Sequence, residues 1–437
     1  MMKFYNTIKS RAVAMTLAMV LCTFSNAQTG LLSPYSATGL GVEMPYLNAR
    51  SAGMGGVIMG MAGSGTANPF NPASYRLGVD TMSVAFHVGL NMGFTELKQN
   101  IDGSVIQNHG TTGGLSNLEF YFPIFKWWKM GVYLLPMTEV AYISSGFRAT
   151  DTTNIGRTQL LHTGTGGLNR LGWGNALGWG PVSVGFNISY IFGRVEELDR
   201  LIFLTDSLAM YSSETHDARG TAYNGLGFDA GIQYVQPLSR NSHITIGASY
   251  SMSALMDGKR SRLVTVEGIA GGSSYADTVY APDPTHGKLK YPGVLRAGIS
   301  YEQLDKFFIG ADFSYSWWNE LSSELETFAQ TSNTYKVSIG AEVLSDLRST
   351  FWARRLSYRI GANWQTYNYN YAGKQVTGFG VSAGIGIPIR RSRSSIYIFG
   401  EYSRMGSLKS GQIENNIGRI GVSFSSVETW FVKRKYD

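Results

Sequence analysis

Along most of this chain, apolar residues alternate with small or polar ones for ten or so positions at a time. Val182, Val184, Phe186, Ile188, Tyr190 and Phe192 interleave with Ser183, Gly185, Asn187, Ser189 and Gly193. The register recurs in Leu226, Phe228, Ala230, Ile232 and Tyr234 against Gly225, Gly227, Asp229, Gly231 and Gln233. It returns in Ile244, Ile246, Ala248, Tyr250 and Met252 against Thr245, Gly247, Ser249, Ser251 and Ser253. A period of two predicts β-strands with two unlike faces, each about as long as a bilayer is thick. A soluble sandwich also alternates, so the pattern alone does not say which face meets lipid.

Marking every alternating run from Asp80 onward gives about fourteen strands, an even number, as single-chain bacterial barrels require. They fall near 80–93, 114–125, 129–147, 158–178, 181–205, 218–236, 242–265, 286–302, 306–327, 331–345, 354–372, 374–388, 394–409 and 412–430. Tight connections are expected at Lys126–Trp128, Gly178–Pro181, Pro237–Asn241, Gln303–Asp305 and Pro388–Arg393. Long polar loops are expected at Thr95–Gly113, Asp206–Arg219 and Asp257–Thr285. Short periplasmic turns alternating with long extracellular loops are the connection pattern of an outer-membrane barrel. Trp127, Trp128, Trp179, Trp317, Trp318, Trp352 and Trp430 lie near predicted strand ends, where indole favours the membrane interface.

The N-terminus supports export. Lys3, Lys9 and Arg11 precede an apolar run from Ala12 to Phe24, and Ser25-Asn26-Ala27 follows as a small-x-small cleavage site. Residues 1–27 are expected to be a signal peptide, with the mature chain starting at Gln28. The run is short for a spanning helix, and bulky Leu21 before Cys22 disfavours lipidation. Without the leader no cysteine remains, so disulfides and thiolate chemistry are excluded. No later stretch is apolar for the length of a transmembrane helix, and the mean hydropathy is −0.07. A barrel reconciles export with that value. The 53 glycines, 13% aromatic and 15% charged residues suit strands and interfacial girdles.

The net charge of +7 includes three leader cations and no leader acid, leaving +4, too mild to indicate a nucleic-acid partner. The basic clusters Arg390-Arg391-Ser392-Arg393 and Lys433-Arg434-Lys435 are expected to be solvated charges at a turn and at the chain end. Asp229, Arg296, Glu302, Asp312, Lys336, Glu342, Arg359 and Arg419 fall in the polar register. Most are expected to pair inside the barrel, because wall charges need partners where water is scarce.

Between Gln28 and Val79 the alternation disappears. Ser33-Pro34-Tyr35, Asn48-Ala49-Arg50-Ser51-Ala52-Gly53-Met54-Gly55-Gly56 and Ala67-Asn68-Pro69-Phe70-Asn71-Pro72-Ala73-Ser74 make a glycine-rich, weakly charged segment with no core of its own. A plug inside the barrel is the economical expectation. The division expected is a leader over 1–27, a hatch over 28–79 and a transmembrane barrel over 80–437.

These motifs, their order, the fourteen strands and the ending Trp430-Phe431-Val432-Lys433-Arg434-Lys435 resemble the FadL-type outer-membrane transport proteins in their Bacteroidota form. Asn71-Pro72-Ala73 matches the family's hatch motif, flanked by Asn68 and Pro69, and Gly164-x-Gly166-Gly167-Leu168-Asn169 is similar to its fourth-strand region. The resemblance implies a bacterial outer-membrane location, a hatch closing the periplasmic mouth and a kink in the third strand that opens the wall sideways. Pro136, in Val132-Tyr133-Leu134-Leu135-Pro136-Met137, is the candidate for that lateral gate, since proline donates no ladder hydrogen bond; a simple bulge is the alternative.

Enzyme chemistry is not indicated. The stretches Gly53-Met54-Gly55-Gly56 and Gly164-Thr165-Gly166-Gly167 lack the βαβ context of phosphate loops. Histidines 87, 109, 162, 216, 243 and 286 show no metal-ligand spacing, no nucleophile elbow occurs, and no catalytic residue, metal or cofactor is nominated. The expected function is passive uptake of small hydrophobic molecules; the alternative is a non-transporting barrel in an outer-membrane secretion or assembly complex. Membrane lipid and lipopolysaccharide, a hydrophobic ligand and such a complex are the expected partners.

Overall fold

The computed structural model describes residues 33–430, apart from residues 45–47, 64, 102, 150–156, 205–210, 271–272, 327, 329–330, 345, 347–348, 372 and 390–391. The expected leader, the 431–437 ending and Arg390-Arg391 lie outside the described residues.

A two-residue strand, β1 (Val42–Glu43), precedes the wall. The wall runs through β2 (Ser83–Ile101), β3 (Ser104–Pro123), β4 (Trp128–Pro136), β5 (Thr138–Ala149), β6 (Arg157–Trp179), β7 (Val182–Leu204) and β8 (Tyr211–Ser239). It continues through β9 (Ser242–Ser251), β10 (Ala254–Ala270), β11 (Ser273–Tyr280), β12 (Thr285–Tyr291), β13 (Val294–Gln303), β14 (Phe307–Ser316) and β15 (Ser322–Ser323). It ends with β16 (Thr334–Val343), β17 (Ser357–Tyr371), β18 (Lys374–Pro388), β19 (Ser395–Met405) and β20 (Glu414–Thr429). Interrupted neighbours such as β4 with β5 and β9 with β10 are single wall strands, so the barrel has fourteen, all antiparallel. It closes where β20 pairs β2 from Ser83↔Thr429 to Lys98↔Glu414.

The structure assigns the two faces. On β7, Val184, Phe186, Ile188 and Tyr190 are exposed on the outer surface, whereas Ser183, Asn187 and Ser189 are buried facing the lumen. Apolar-out, polar-in is the arrangement lipid requires.

The described residues between 33 and 79 lie inside the wall, and small residues on the wall make room for them. A Cβ on Gly340 would lie 2.3 Å from the Met54 carbonyl oxygen, and one on Gly361 would lie 2.1 Å from the Met54 carbonyl carbon. Gly310, Gly340 and Gly361 face one another across β14, β16 and β17, so they form one seat for Met54 and Val57. The "small or polar" half of the alternation is thus partly steric.

Two expectations need correction. The segments read as long polar loops are mostly strand: β2 and β3 continue to a tight turn, and β8, β10 and β11 rise well beyond the apolar belt. Charged and polar residues interrupt the apolar alternation there, although Ile101, Val105, Ile106, Leu263 and Val279 stay exposed, so the lipid pattern breaks while the ladder continues. Trp318 is also no girdle residue. A 3-10 turn over Trp318–Glu320 rotates it inward, fully buried, 5.6 Å from Tyr291. Trp127, Trp179, Trp352 and Trp430 do project outward at the turn end.

Candidate functional site

The hatch motif folds into a small hydrogen-bonded latch. Asn71 caps the 3-10 turn Pro72–Ser74: its Oδ1 accepts from Ala73 N at 3.2 Å, and Pro72 takes the first position, where no N–H is needed. Asn68 Oδ1 accepts from Asn71 N at 2.9 Å, while Asn68 N donates to Ser74 Oγ at 2.9 Å. The wall grips this turn. Asn187 Nδ2 donates to Pro69 O at 2.7 Å, and Pro72 and Asn71 sit against Gly185 and Gly231. Asp312 accepts from Ile58 N and Met59 N, at 2.6 and 2.9 Å.

Pro136 stands at a break in the wall. β4 ends at Pro136, opposite Asn169, and β5 begins its pairing with β6 at Val140↔Gly166. Gly166 and Gly167, with φ of +117° and +144°, bend β6 around this step; a Cβ on Gly167 would strike the Thr138 carbonyl. On the other side, β3 pairs β4 only from Leu118↔Leu134 downward, just below a register shift that leaves Ser116 bulged against β2. Above that height, among the described residues, no pairing joins β3 to β5. A seam therefore opens between the β3 edge (104–117) and the β5 edge. Leu115 and Leu118 beside it are exposed on the lipid-facing side, so its lower end lies in the apolar belt.

The N-terminal part of the hatch lies along the freed β5 edge. Val42 and Glu43 pair with Glu139 and Thr138, and Met44 N donates to Met137 O at 2.8 Å. Ser33 N donates to Ala141 O at 3.2 Å, and Ala141 N donates to Ser36 Oγ at 3.1 Å. The Ser-Pro-Tyr motif fixes this segment: Tyr35 stacks on Tyr369 at 5.8 Å and its hydroxyl donates to Ile413 O at 2.7 Å. Above, Trp318 and Leu321 pack with Leu40, Leu168 and Tyr291, covering the extracellular side of the lumen.

Between hatch and wall lies a cavity of about 210 Å³. On the seam side it is lined by Val42, Met44, Leu135, Pro136 and Met137, with Arg170 opposite Leu135. The opposite side is charged: Arg296, Asp312, Lys336, Glu401 and Arg419, with Glu43 entering from the hatch. Most of the polar-register charges are paired as expected. Glu342 is held by Arg359 at 2.5 Å and Arg50 at 2.9 Å, Arg419 by Glu401 at 3.4 Å, and Asp229 by Arg170 at 3.2 Å. Glu302 has His243 at 3.8 Å and also lies under the charge of Arg50, and Arg296 lies over the Phe70 ring, 4.6 Å from its centre. Glu43 is exposed to the cavity, and its removal from bulk water there pushes its carboxyl up against the opposing pull of Arg296 and Lys336.

Glu43, Arg50, Arg170 and Glu401 were not singled out from the sequence. Glu401 and Arg170 fall in the inward register of their strands, so extending that register would have found both; Glu401 lies directly opposite Arg419. No group of His, Cys, Asp or Glu side chains among the described residues could hold a metal ion.

A closed barrel with an inner hatch and a break in its third strand is the FadL-type outer-membrane architecture, and the protein is a bacterial outer-membrane β-barrel. It is similar to the Pseudomonas putida toluene transporter TodX, with 16% identity and TM-score 0.56, over 90% of this chain and 100% of that one. It is also similar to a Pseudomonas aeruginosa FadL homologue, with 12% identity and TM-score 0.58, over 89% and 99%. No curated protein matches it in sequence. The family model BamG matches residues 8–437, and the chain belongs to the BamG family.

Proposed function

We propose that the chain is a passive route for small hydrophobic molecules, which enter from outside, occupy the cavity and leave sideways through the seam into the bilayer. The observation that carries this reading is the absence, among the described residues, of β3–β5 pairing beside Leu135, Pro136 and Met137 of the cavity wall. A cavity of this order suits a molecule the size of a single aromatic ring. Sideways exit keeps apolar surface out of water, which otherwise costs about 25 cal/mol per Å². The hatch motif Asn68–Ala73 holds the plug, and Pro136 marks the lower end of the exit. The toluene transporter with the same fold supports the ligand class.

BamG membership favours a second reading, a non-transporting barrel within an outer-membrane assembly complex. Labelled toluene separates the two. Cells lacking the chain should take it up several-fold more slowly and recover when the chain is restored. Unchanged uptake together with loss of other assembled barrels from the outer membrane would establish the second reading instead.

A further inference from the structure

Above the apolar belt, the chain that follows β10 turns back as β11 and leaves a strand edge uncovered. β11 pairs with β10 from Ala270↔Ser273 to Thr265↔Thr278 without interruption, and the register shift lies below, between Val264 and Thr265. β8 holds the other side of β10 along the same stretch, so β11 is the outermost strand of an ordered sheet. Lower down, β15 covers part of the β12 edge, at Leu289↔Ser323 and Lys290↔Ser322. No described strand reaches the corresponding edge of β11, whose residues are all exposed. Every second residue of such an edge turns its N–H and C=O outward, and proteins ordinarily blunt it with lysine, proline or a bulge. Ser273–Tyr280 contains neither lysine nor proline. Tyr275, Asp277 and Val279 share one face of the strand, with Tyr275 and Val279 open to solvent. The carboxylates beside them are engaged: Asp217 by Arg262 at 2.8 Å, Glu214 by Arg200 at 2.7 Å and Glu267 by His216 at 3.5 Å. The Asp277 carboxylate has no hydrogen bond or ion pair with any described residue.

We propose that β11 is a docking edge for an extended segment of a partner protein at the cell surface, which adds to it as a further strand. The open ladder sets the backbone form of that segment, because only an extended chain can meet alternate N–H and C=O groups along an edge. Asp277 sets its charge: a lysine or arginine lies opposite, flanked by β-branched residues against Tyr275 and Val279. The β11 of a second copy offers no such cation, since Ser273–Tyr280 contains neither lysine nor arginine. The proposal stands independently of transport, since β11 contributes to neither the cavity nor the seam.

The test uses the full chain in lipid nanodiscs and a fluorescent octapeptide that alternates valine and threonine around one central lysine. The same peptide with glutamate for lysine, and a form N-methylated throughout, are the comparisons. Anisotropy should show the lysine peptide binding, the glutamate peptide about fivefold weaker, and the N-methylated peptide not at all, because it offers no main-chain donor. Asp277→Lys changes an exposed side chain and leaves the β10 ladder in place, and it should reverse the preference between the two charged peptides. Asp305→Asn, at the opposite end of the barrel, should change neither; asparagine tolerates the left-handed backbone there (φ +59°). Absence of binding, or equal affinity for the lysine and glutamate peptides in wild type and Asp277→Lys alike, would overturn the proposal. Association of the chain with itself that the lysine peptide competes away would assign the edge to a second copy and overturn the partner assignment.

Discussion

Asn71 joins the hatch to itself and to the wall with one side chain. Its Oδ1 caps the turn at Ala73, and its Nδ2 reaches Ile232 O at 3.4 Å and Met59 O at 3.5 Å. Asn71→Ala removes a helix-type cap and leaves buried backbone groups unpaired, so it should weaken docking of the 48–79 segment by about 1–2 kcal/mol. Faster amide exchange in that segment, with the wall unchanged, is the expected result; unchanged exchange would show that the glycine seats alone hold the turn. Glu43 gives a pH-dependent expectation. Its carboxyl is raised by burial, so the docked hatch favours the protonated form; that contribution is complete below the ordinary carboxylate value and is lost as pH rises through the raised one. Glu43→Gln should therefore protect residues 33–44 from protease better than wild type at pH 8, with the advantage vanishing at pH 4. A difference of the opposite sign would mean that Arg296 and Lys336 outweigh burial.

At the scale of strands, the wall break rests on several features at one height. Ser116 is bulged, Pro136 ends β4, Gly166 and Gly167 bend β6, and β1 occupies the freed edge of β5. From the sequence alone, Pro136→Val would be expected to restore a donor and narrow the opening. With the other features in place, one added N–H has no β3 partner, so toluene uptake should change by no more than about twofold. A tenfold fall in a normally folded protein would make Pro136 the sole cause of the seam. The fourteen strands were legible because lipid imposes an uninterrupted apolar alternation on every crossing. Pro136 was legible because proline announces its missing donor. The seam was not: absence of pairing between β3 and β5 leaves no mark in either strand. Nor was β1, since two residues carry no period. The upper parts of β8, β10 and β11 were taken for loops because charged residues interrupt the apolar alternation there, as in the Arg219 pair with Asp199 and the Arg262 pair with Asp217.

The whole molecule is a barrel that holds its own N-terminal segment inside, with a seam whose β5 edge the same segment lines. Deleting residues 33–79 should raise the permeability of liposomes to small polar solutes, because the glycine seats and the charged inner wall would then face open water. An unchanged leak would show that the residues around Trp318 close the lumen without the hatch. If the seam beside β5 is the exit, β1 lies across it, paired with the β5 edge, and fixing β1 there should close it. Val42 and Glu139 are direct partners across β1 and β5, and the chain's only cysteine, Cys22, precedes the described residues. A Val42→Cys, Glu139→Cys double variant would tie the hatch strand to the seam edge by a disulfide that can be made and reduced in place. The deciding measurement is toluene uptake by cells carrying this variant, before and after reduction. Uptake that stops on oxidation and returns on reduction is the predicted result; uptake that continues undiminished with the disulfide fully formed would contradict it.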